Sequence, residues 1–378
     1  MTGLLSDAAI IERVLDHMDN KTTDVGEESW REPTDNYRSL TRHSAELDLL
    51  KRLPVPFCPS AALPERGSYV ARSAAGTPLV VVRGEDGAVR GFRNACRHRG
   101  NQVARGSGCL KAFVCGYHGW TYRLDGRLLH IPHDYGFPDL EKSEYSLVPV
   151  DTCEQHGLVF VTQEEPVSKG ALEGLDEVPD LFTHDQRIFD SYDKVSDVNW
   201  KLNMEGTIEG YHIKPTHRET FYPYGFDNLN VVETFGNNSR ITYPFRRIEN
   251  LRNLQPASRN IAGMVTFVYQ IFPNVAIAVL SNHTTMTISE PLSPTQTRFI
   301  TYRFTNKGDE IQENNERAQR DASFVSDTGG KEDAAVVHGI QESLASGAND
   351  YFTYGKFEKA IVHFHKSLTG MLQQMETS

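Results

Sequence analysis

The chain of 378 residues contains no apolar run approaching the ~20 residues that a membrane helix needs. Its opening, MTGLLSDAAIIERVLDHM, places Asp7, Glu12 and Asp16 where a signal peptide would be basic and then uninterruptedly apolar. That stretch reads as an amphipathic surface helix, and the expected location is the cytoplasm. Cysteine is scarce at five residues, which excludes a disulfide framework for a chain of this size. A Gly-x-Gly-x-x-Gly or other nucleotide signature is missing, so no built-in NAD(P)H site is expected. Basic charge is also in deficit, with 39 Lys and Arg against 50 Asp and Glu and a formal charge of -11, which argues against nucleic acid and anionic membranes as partners. Internal repeats and low-complexity tracts are absent. What remains is a globular chain of ordinary composition, long enough for two domains with their own cores.

The texture of the chain changes once. From about residue 46 to 165, short β-type runs (TPLVVVRG, LVFVTQ) alternate with glycine turns (EDGAVRG, RLDGRL), which predicts a small all-β domain. After the acidic stretch QEEPVSKGALEGLDEVPD the pattern becomes mixed. VNWKLNMEGTIEGYH reads as a helix, and LNVVETF, RITYPFRRI, MVTFVYQIF, VAIAVL and TRFITYRFT read as strands of an antiparallel sheet with one buried face. The end of the chain, EDAAVVHGIQESLASG and YGKFEKAIVHFHKSLTGMLQQM, has helical periodicity, with Gly347 as a stop. The expectation is an α+β protein, an all-β domain followed by a larger mixed one.

The cysteines that are present are informative. In ACRHRGNQVARGSGCLKAFVCGYHGW, Cys96 and His98 form one short pair and Cys115 and His118 another. Two Cys and two His could hold one tetrahedral zinc. Zinc fingers, however, usually pair Cys with Cys and His with His, whereas each arm here supplies one of each. That mixing suits a [2Fe–2S] centre in which one iron takes Cys96 and Cys115 and the other His98 and His118, the ligation of a Rieske cluster. Cys58, Cys109 and Cys153 show no such pattern and read as buried or incidental thiols.

Farther along, NMEGTIEGYHIKPTH spaces Glu205, Glu209 and His212 at steps of four and three, one face of a helix, and Pro215 then predicts an end that brings His217 back beside His212. Glu209 and His212 also form a Glu-x-x-His, but a di-iron bundle needs that motif twice and it occurs once. Two converging imidazoles are better completed by one carboxylate, as in the facial triad of non-heme Fe(II) oxygenases.

The segments CRHRG and CGYHGWTYRLDGRLLHIP closely resemble the N-terminal domain of Rieske non-heme iron ring-hydroxylating oxygenase large (alpha) subunits, with Gly116 where proline is common. The resemblance runs from about residue 46 to the C-terminal helix. It implies an N-terminal helical segment (1–45) packing on the catalytic domain, a Rieske domain (46–165), a linker (166–189) and a helix-grip catalytic domain (190–378), an antiparallel sheet around a long C-terminal helix. It also implies that Asp333, in the acidic pair of KEDAAVVHGIQ, joins His212 and His217 on a mononuclear iron, with Glu332 and Asp327 as neighbouring alternatives.

In this family, rings of three subunits place one subunit's cluster beside the next subunit's iron, with an acidic residue between the histidines. Glu209 matches that bridge and would link His212 to a neighbour's His118. Naphthalene dioxygenase-like members carry Asp there and several oxygenases of quaternary ammonium compounds carry Glu. Glu205, standing where the naphthalene type has Asn, is expected to support the site from behind. The implied activity is that of a terminal oxygenase using O₂ and electrons from NAD(P)H, delivered by a separate ferredoxin or flavin reductase, to hydroxylate a small aromatic substrate. Oxidative N- or O-demethylation or quaternary ammonium monooxygenation is the alternative, and a Rieske electron carrier without oxygenase activity the remote one. Eight Arg and Lys between Arg90 and Arg127 face only Asp125 in sequence, a basic field suited to an acidic electron donor.

Overall fold

The computed structural model describes residues 3–165, 175–177, 182, 186–306 and 311–377; most of the expected linker over 166–189 lies outside the described residues. Two compact units are present: Leu50–Pro166 with Phe182–His184, and Met1–Leu49 with Val167–Leu181 and Asp185–Ser378. Among the described residues no helix is long and apolar enough to cross a membrane.

The first unit is built on a seven-stranded antiparallel sheet, ordered Val55–Pro59, Leu158–Thr162, Pro149–Gln155, Val89–Arg93, Thr77–Arg83, Ser68–Ala74, Gly106–Cys109. Its strand Thr77–Arg83 holds Leu79, Val80, Val81 and Val82 without any exposure, the mark of a strand covered on both faces. A three-stranded sheet, Phe113–Val114, Thr121–Tyr122 and Leu128–His130, lies beside it in the chain. Cys96 and Cys115 are buried in one core cluster with Phe113, Trp120, Tyr122 and Leu124.

The second unit contains helices α1 (Asp7–Asn20), α2 (Leu40–Arg52, up to Leu49), α3 (Trp200–Thr207), α4 (Ile213–Thr216), α5 (Ile311–Asp327), α6 (Gly329–Ser343) and α7 (Lys359–Thr377). Its sheet is also seven-stranded and antiparallel, ordered Ile188–Ser196, Gln296–Thr305, His283–Ser293, Val275–Val279, Val265–Ile271, Asn238–Pro244, Val231–Phe235. The long α7 packs on the last two strands, and its Phe364 meets Trp200 of α3 edge to face at 5.8 Å. This is the helix-grip arrangement. Helix α1 buries Ile10, Ile11 and Val14 against Val231, Ile248 and Val265. An ion pair with almost no exposure ties α2 to α3: Lys201 Nζ lies 2.8 and 3.0 Å from the Glu46 carboxylate, which also accepts from Arg42 Nε (2.9 Å) and Trp200 Nε1 (2.8 Å).

Two sequence expectations are corrected. The helix expected through His212 stops at Thr207, so Glu205 and Glu209 do not share its face. Gly206, the β-branched Thr207 and Gly210 are poor helix formers. In addition, Gly210 approaches Asn230 so closely that a Cβ there would lie 2.5 Å from its side-chain amide. Tyr243 captures the carbonyls released at this end, its hydroxyl donating to Thr207 O (2.9 Å) and Glu209 O (3.1 Å). The strand expected over RITYPFRRI ends at Pro244, where a 3-10 helix, Arg246–Asn253, follows.

Candidate metal centres and active-site cavity

The two Cys/His loops repeat one construction. In the first, Gly100 N donates to Cys96 O (2.8 Å) and Cys96 N to Asn101 O (2.8 Å); in the second, Gly119 N donates to Cys115 O (2.9 Å) and Cys115 N to Trp120 O (2.8 Å). Each cysteine is thereby buried and each histidine carried outward on a turn fixed by its own backbone. His98 Nδ1 and His118 Nδ1 stand 3.1 Å apart, and the His98 ring stacks on Trp120 at 5.0 Å. Both thiols are free. Burial pushes the Cys115 thiol up, but the Tyr117 backbone N–H and the Asn101 amide aimed at sulfur outweigh it and hold the thiol below its ordinary value. Burial keeps the Cys96 thiol above its own, with the Tyr122 hydroxyl 3.2 Å from its sulfur.

A single tetrahedral zinc would draw all four ligand atoms to within ~4 Å of one another. Among the described residues, a group of three or more His, Cys, Asp or Glu ligand atoms within 4.8 Å occurs only at His212, His217 and Asp333. The loops instead present two buried sulfurs and, apart from them, two Nδ1 atoms near the surface. That donor set fits a two-iron cluster, sulfur at one end and nitrogen at the other.

The second group is assembled from distant parts of the chain. Asp333, at the start of the second turn of α6, places Oδ1 2.9 Å from His217 Nε2 and 3.6 Å from His212 Nε2, and the imidazole centroids are 5.1 Å apart. Gly329 allows this approach: a Cβ there would fall 2.1 Å from the ring of Phe221, four residues beyond His217. The opposite edge of each imidazole meets a carboxylate. His217 Nδ1 is 2.8 Å from Glu332 Oε2, which also accepts from Thr220 Oγ1 at 2.6 Å, and His212 Nδ1 is bonded to Glu209 Oε1. Glu209 is buried and accepts from the backbone N–H of His212 at 3.2 Å. Burial depresses the pKa of His217, but Asp333 and Glu332 outweigh it and leave it raised. Two Nε2 atoms and one carboxylate oxygen on one side, with both Nδ1 edges oriented by carboxylates, fit a two-His, one-carboxylate iron.

Glu205 lies elsewhere. It accepts from Tyr37 (2.7 Å) and Tyr354 (2.8 Å) and pairs with His365 Nε2 (3.0 Å), all buried, and among the described residues it makes no contact with His212, His217 or Asp333. Asp327, an alternative ligand by sequence, pairs with Lys331. Glu332 had a signal, its place in an acidic pair; Tyr243 had none. The basic run is less open than its sequence implies, because Arg90 is paired with Asp86 and Arg127 with Asp125. A cavity of about 680 Å³ opens onto Glu209, His212, His217 and Asp333, and Phe221, Tyr224, Tyr243 and Phe324 form aromatic parts of its wall.

Residues 183–374 match the family model of the ring hydroxylating alpha subunit (catalytic domain), and residues 54–141 match that of the Rieske [2Fe-2S] domain. The chain belongs to the Rieske ring-hydroxylating oxygenase alpha subunits. Membership brings the class of enzyme, a non-heme iron oxygenase, and its two cofactors, the Rieske cluster and a mononuclear iron. The chain is similar to the glycine betaine monooxygenase oxygenase subunit of Chromohalobacter salexigens, 34% identical over 42% of this chain but only 36% of that protein. It is also similar to the carnitine monooxygenase oxygenase subunit of Escherichia coli, 25% identical over 82% of this chain and 84% of that one. Among solved structures, a quaternary ammonium Rieske monooxygenase with L-carnitine matches with TM-score 0.77, 20% identity and coverage of 98% and 99% of the two chains. Naphthalene 1,2-dioxygenase from Rhodococcus with indole matches with TM-score 0.73, 20% identity and the same coverage. The fold therefore does not separate the two chemistries.

Proposed function

We propose that this terminal oxygenase acts on a small quaternary ammonium compound, as a monooxygenase, in preference to the aromatic hydroxylation expected first. The observation that carries the reading is the set of curated relatives, in which carnitine, glycine betaine and choline monooxygenases recur, two of them aligned over four-fifths of this chain. The cavity supports it. Phe221 lies 4.7 Å from the His217 ring and 6.2 Å from Phe324, and Tyr224 is 6.3 Å from Phe324. Aromatic faces so grouped attract a trimethylammonium head without demanding a counter-ion.

In this reading Cys96 and Cys115 hold one iron of the cluster, His98 and His118 the other, and His212, His217 and Asp333 hold the mononuclear iron. Bound there, ferrous iron supplies O₂ activation, one oxygen atom passing to substrate and the other to water with two electrons and two protons. Glu332 and Glu209 fix the imidazole edges, so that both Nε2 atoms face the cavity. Glu209 also connects His212 to His118 of a neighbouring subunit in a trimer, and a ferredoxin or flavin reductase supplies electrons from NAD(P)H. Hydroxylation of a carbon bound to nitrogen gives a carbinolamine that breaks into an aldehyde and an amine.

The test is O₂ uptake by the reconstituted system with trimethylammonium compounds and with aromatic hydrocarbons. Uptake coupled to amine and aldehyde release is expected. A cis-diol from the hydrocarbons, with no uptake on any ammonium compound, overturns the proposal.

A further inference from the structure

One wall of the cavity carries cationic side chains that are not part of the metal group. Arg246 and Arg247, consecutive residues opening the 3-10 helix Arg246–Asn253, both line it. In a chain with 50 acidic residues, neither guanidinium is paired with a carboxylate among the described residues. Arg246 donates from Nη2 to Tyr222 O at 3.3 Å; Arg247 donates from Nε to Gly263 O and from Nη2 to Ser281 Oγ at 3.1 Å. Rings support both planes: Arg246 lies over Tyr222 (5.1 Å) and Phe226 (5.3 Å), and Arg247 over Phe245 (4.6 Å). Each guanidinium offers five N–H donors, so the bonds above orient the forks and leave most donors and both charges free. The acids that line the same cavity are engaged elsewhere, Asp321 with His283 at 2.9 Å, and Glu209 and Asp333 with the metal-group histidines.

We propose that Arg246 and Arg247 form a carboxylate-binding subsite, and that the substrate is a short zwitterion with its anionic end on these arginines and its trimethylammonium end toward the aromatic wall. This deepens the quaternary ammonium reading and rests on it for the cationic end only. Both arginine side chains are exposed on the cavity side, each held by its own bonds, and a guanidinium fork so oriented is the geometry that planar carboxylates select, whereas an alcohol of the same length cannot use it bidentately. The arginines thus set which ammonium compounds are accepted: amino acid betaines and their longer homologues over amino alcohols.

The test is calorimetric titration of the holoenzyme without reductase, so that binding is read apart from turnover. Three probes share one skeleton: γ-butyrobetaine, its alcohol analogue, and the isostere with tert-butyl in place of trimethylammonium. Wild type is expected to bind γ-butyrobetaine at least ~10-fold more tightly than the alcohol, the size of one or two charge-assisted bonds. Arg246→Gln and Arg247→Gln should remove that preference, weakening the acid ~10-fold or more while moving the alcohol less than ~2-fold. Cluster absorbance and melting temperature serve as folding controls, and the wild-type comparison of acid with alcohol needs no variant. Equal affinity for acid and alcohol in wild type, equal weakening of both in the variants, or no binding of either carboxylate overturns the subsite. If the tert-butyl acid binds as well as γ-butyrobetaine and loses affinity in the variants, the subsite stands and the quaternary ammonium reading falls.

Discussion

The two candidate metal sites solve one problem on different scales of chain. His98 and His118 are 20 residues apart and sit on loops closed by their own backbone, whereas His217 and Glu332 are 115 apart and meet only because α6 packs against the His217 segment. A site made of local turns carries its geometry with it; one made by packing inherits every weakness of the helices that support it. The difference predicts that damage to the second unit disables the mononuclear site while sparing the cluster.

The largest effect is expected for Asp333→Ala. Turnover should be abolished and mononuclear iron lost, with the visible and EPR spectra of the cluster unchanged; bleaching of the cluster in this variant would break the comparison. Next comes Lys201→Ala, which leaves the Glu46 carboxylate, at 2% exposure, with Arg42 as its remaining cation. Loss of the sole partner of a buried charge typically costs ~3–5 kcal/mol, and Arg42 keeps the loss here below that range. Thermal melting should show the second unit unfolding earlier while cluster absorbance persists, and a single unshifted transition would count against it. Glu332→Gln keeps the packing but weakens the grip on His217. It is expected to reduce iron affinity or activity ~10 to 100-fold, read by metal titration, with Thr220→Val showing a lesser loss.

The smallest effect concerns Glu358. Burial, reinforced by the nearby charges of Glu209 and Glu205, pushes its carboxyl up to about 7 from 4.5. Its folded pKa is above its unfolded one, so its contribution to stability is full below about 4.5 and is lost as pH rises toward 7. Glu358→Gln should flatten the fall in melting temperature across that window, by on the order of 1 kcal/mol after allowance for solvent screening at a partly exposed group. An unchanged slope would remove Glu358 from the account.

The same contrast explains what the sequence could convey. The two Cys/His loops were legible from spacing, because four residues in two turns leave little freedom, and their reading as cluster ligands drew on the flanking resemblance as well. His212 and His217 were legible as a pair, but the helix drawn through Glu209 was not, since the i, i+4, i+7 pattern persists past Thr207 while the backbone ends there. The deciding contacts, Tyr243 on the released carbonyls and Asn230 against Gly210, come from other strands and loops. The strand His283–Ser293 escaped for a related reason. Thr284, Ser289 and Glu290 are buried in it, so its polar residues hide an interior strand. Asp333 was reachable only by resemblance, because the carboxylate of such a triad has no fixed distance from its histidines.

The N-terminal end of α6 acts as an angular gauge. Glu332 and Asp333 are consecutive, hence ~100° apart around the helix, yet they grip opposite edges of the same imidazole, Nδ1 and Nε2. Inserting or deleting one residue between Gly329 and Glu332 would turn both carboxylates away together, and no side-chain adjustment could restore either. Natural length variation should therefore be excluded from this stretch.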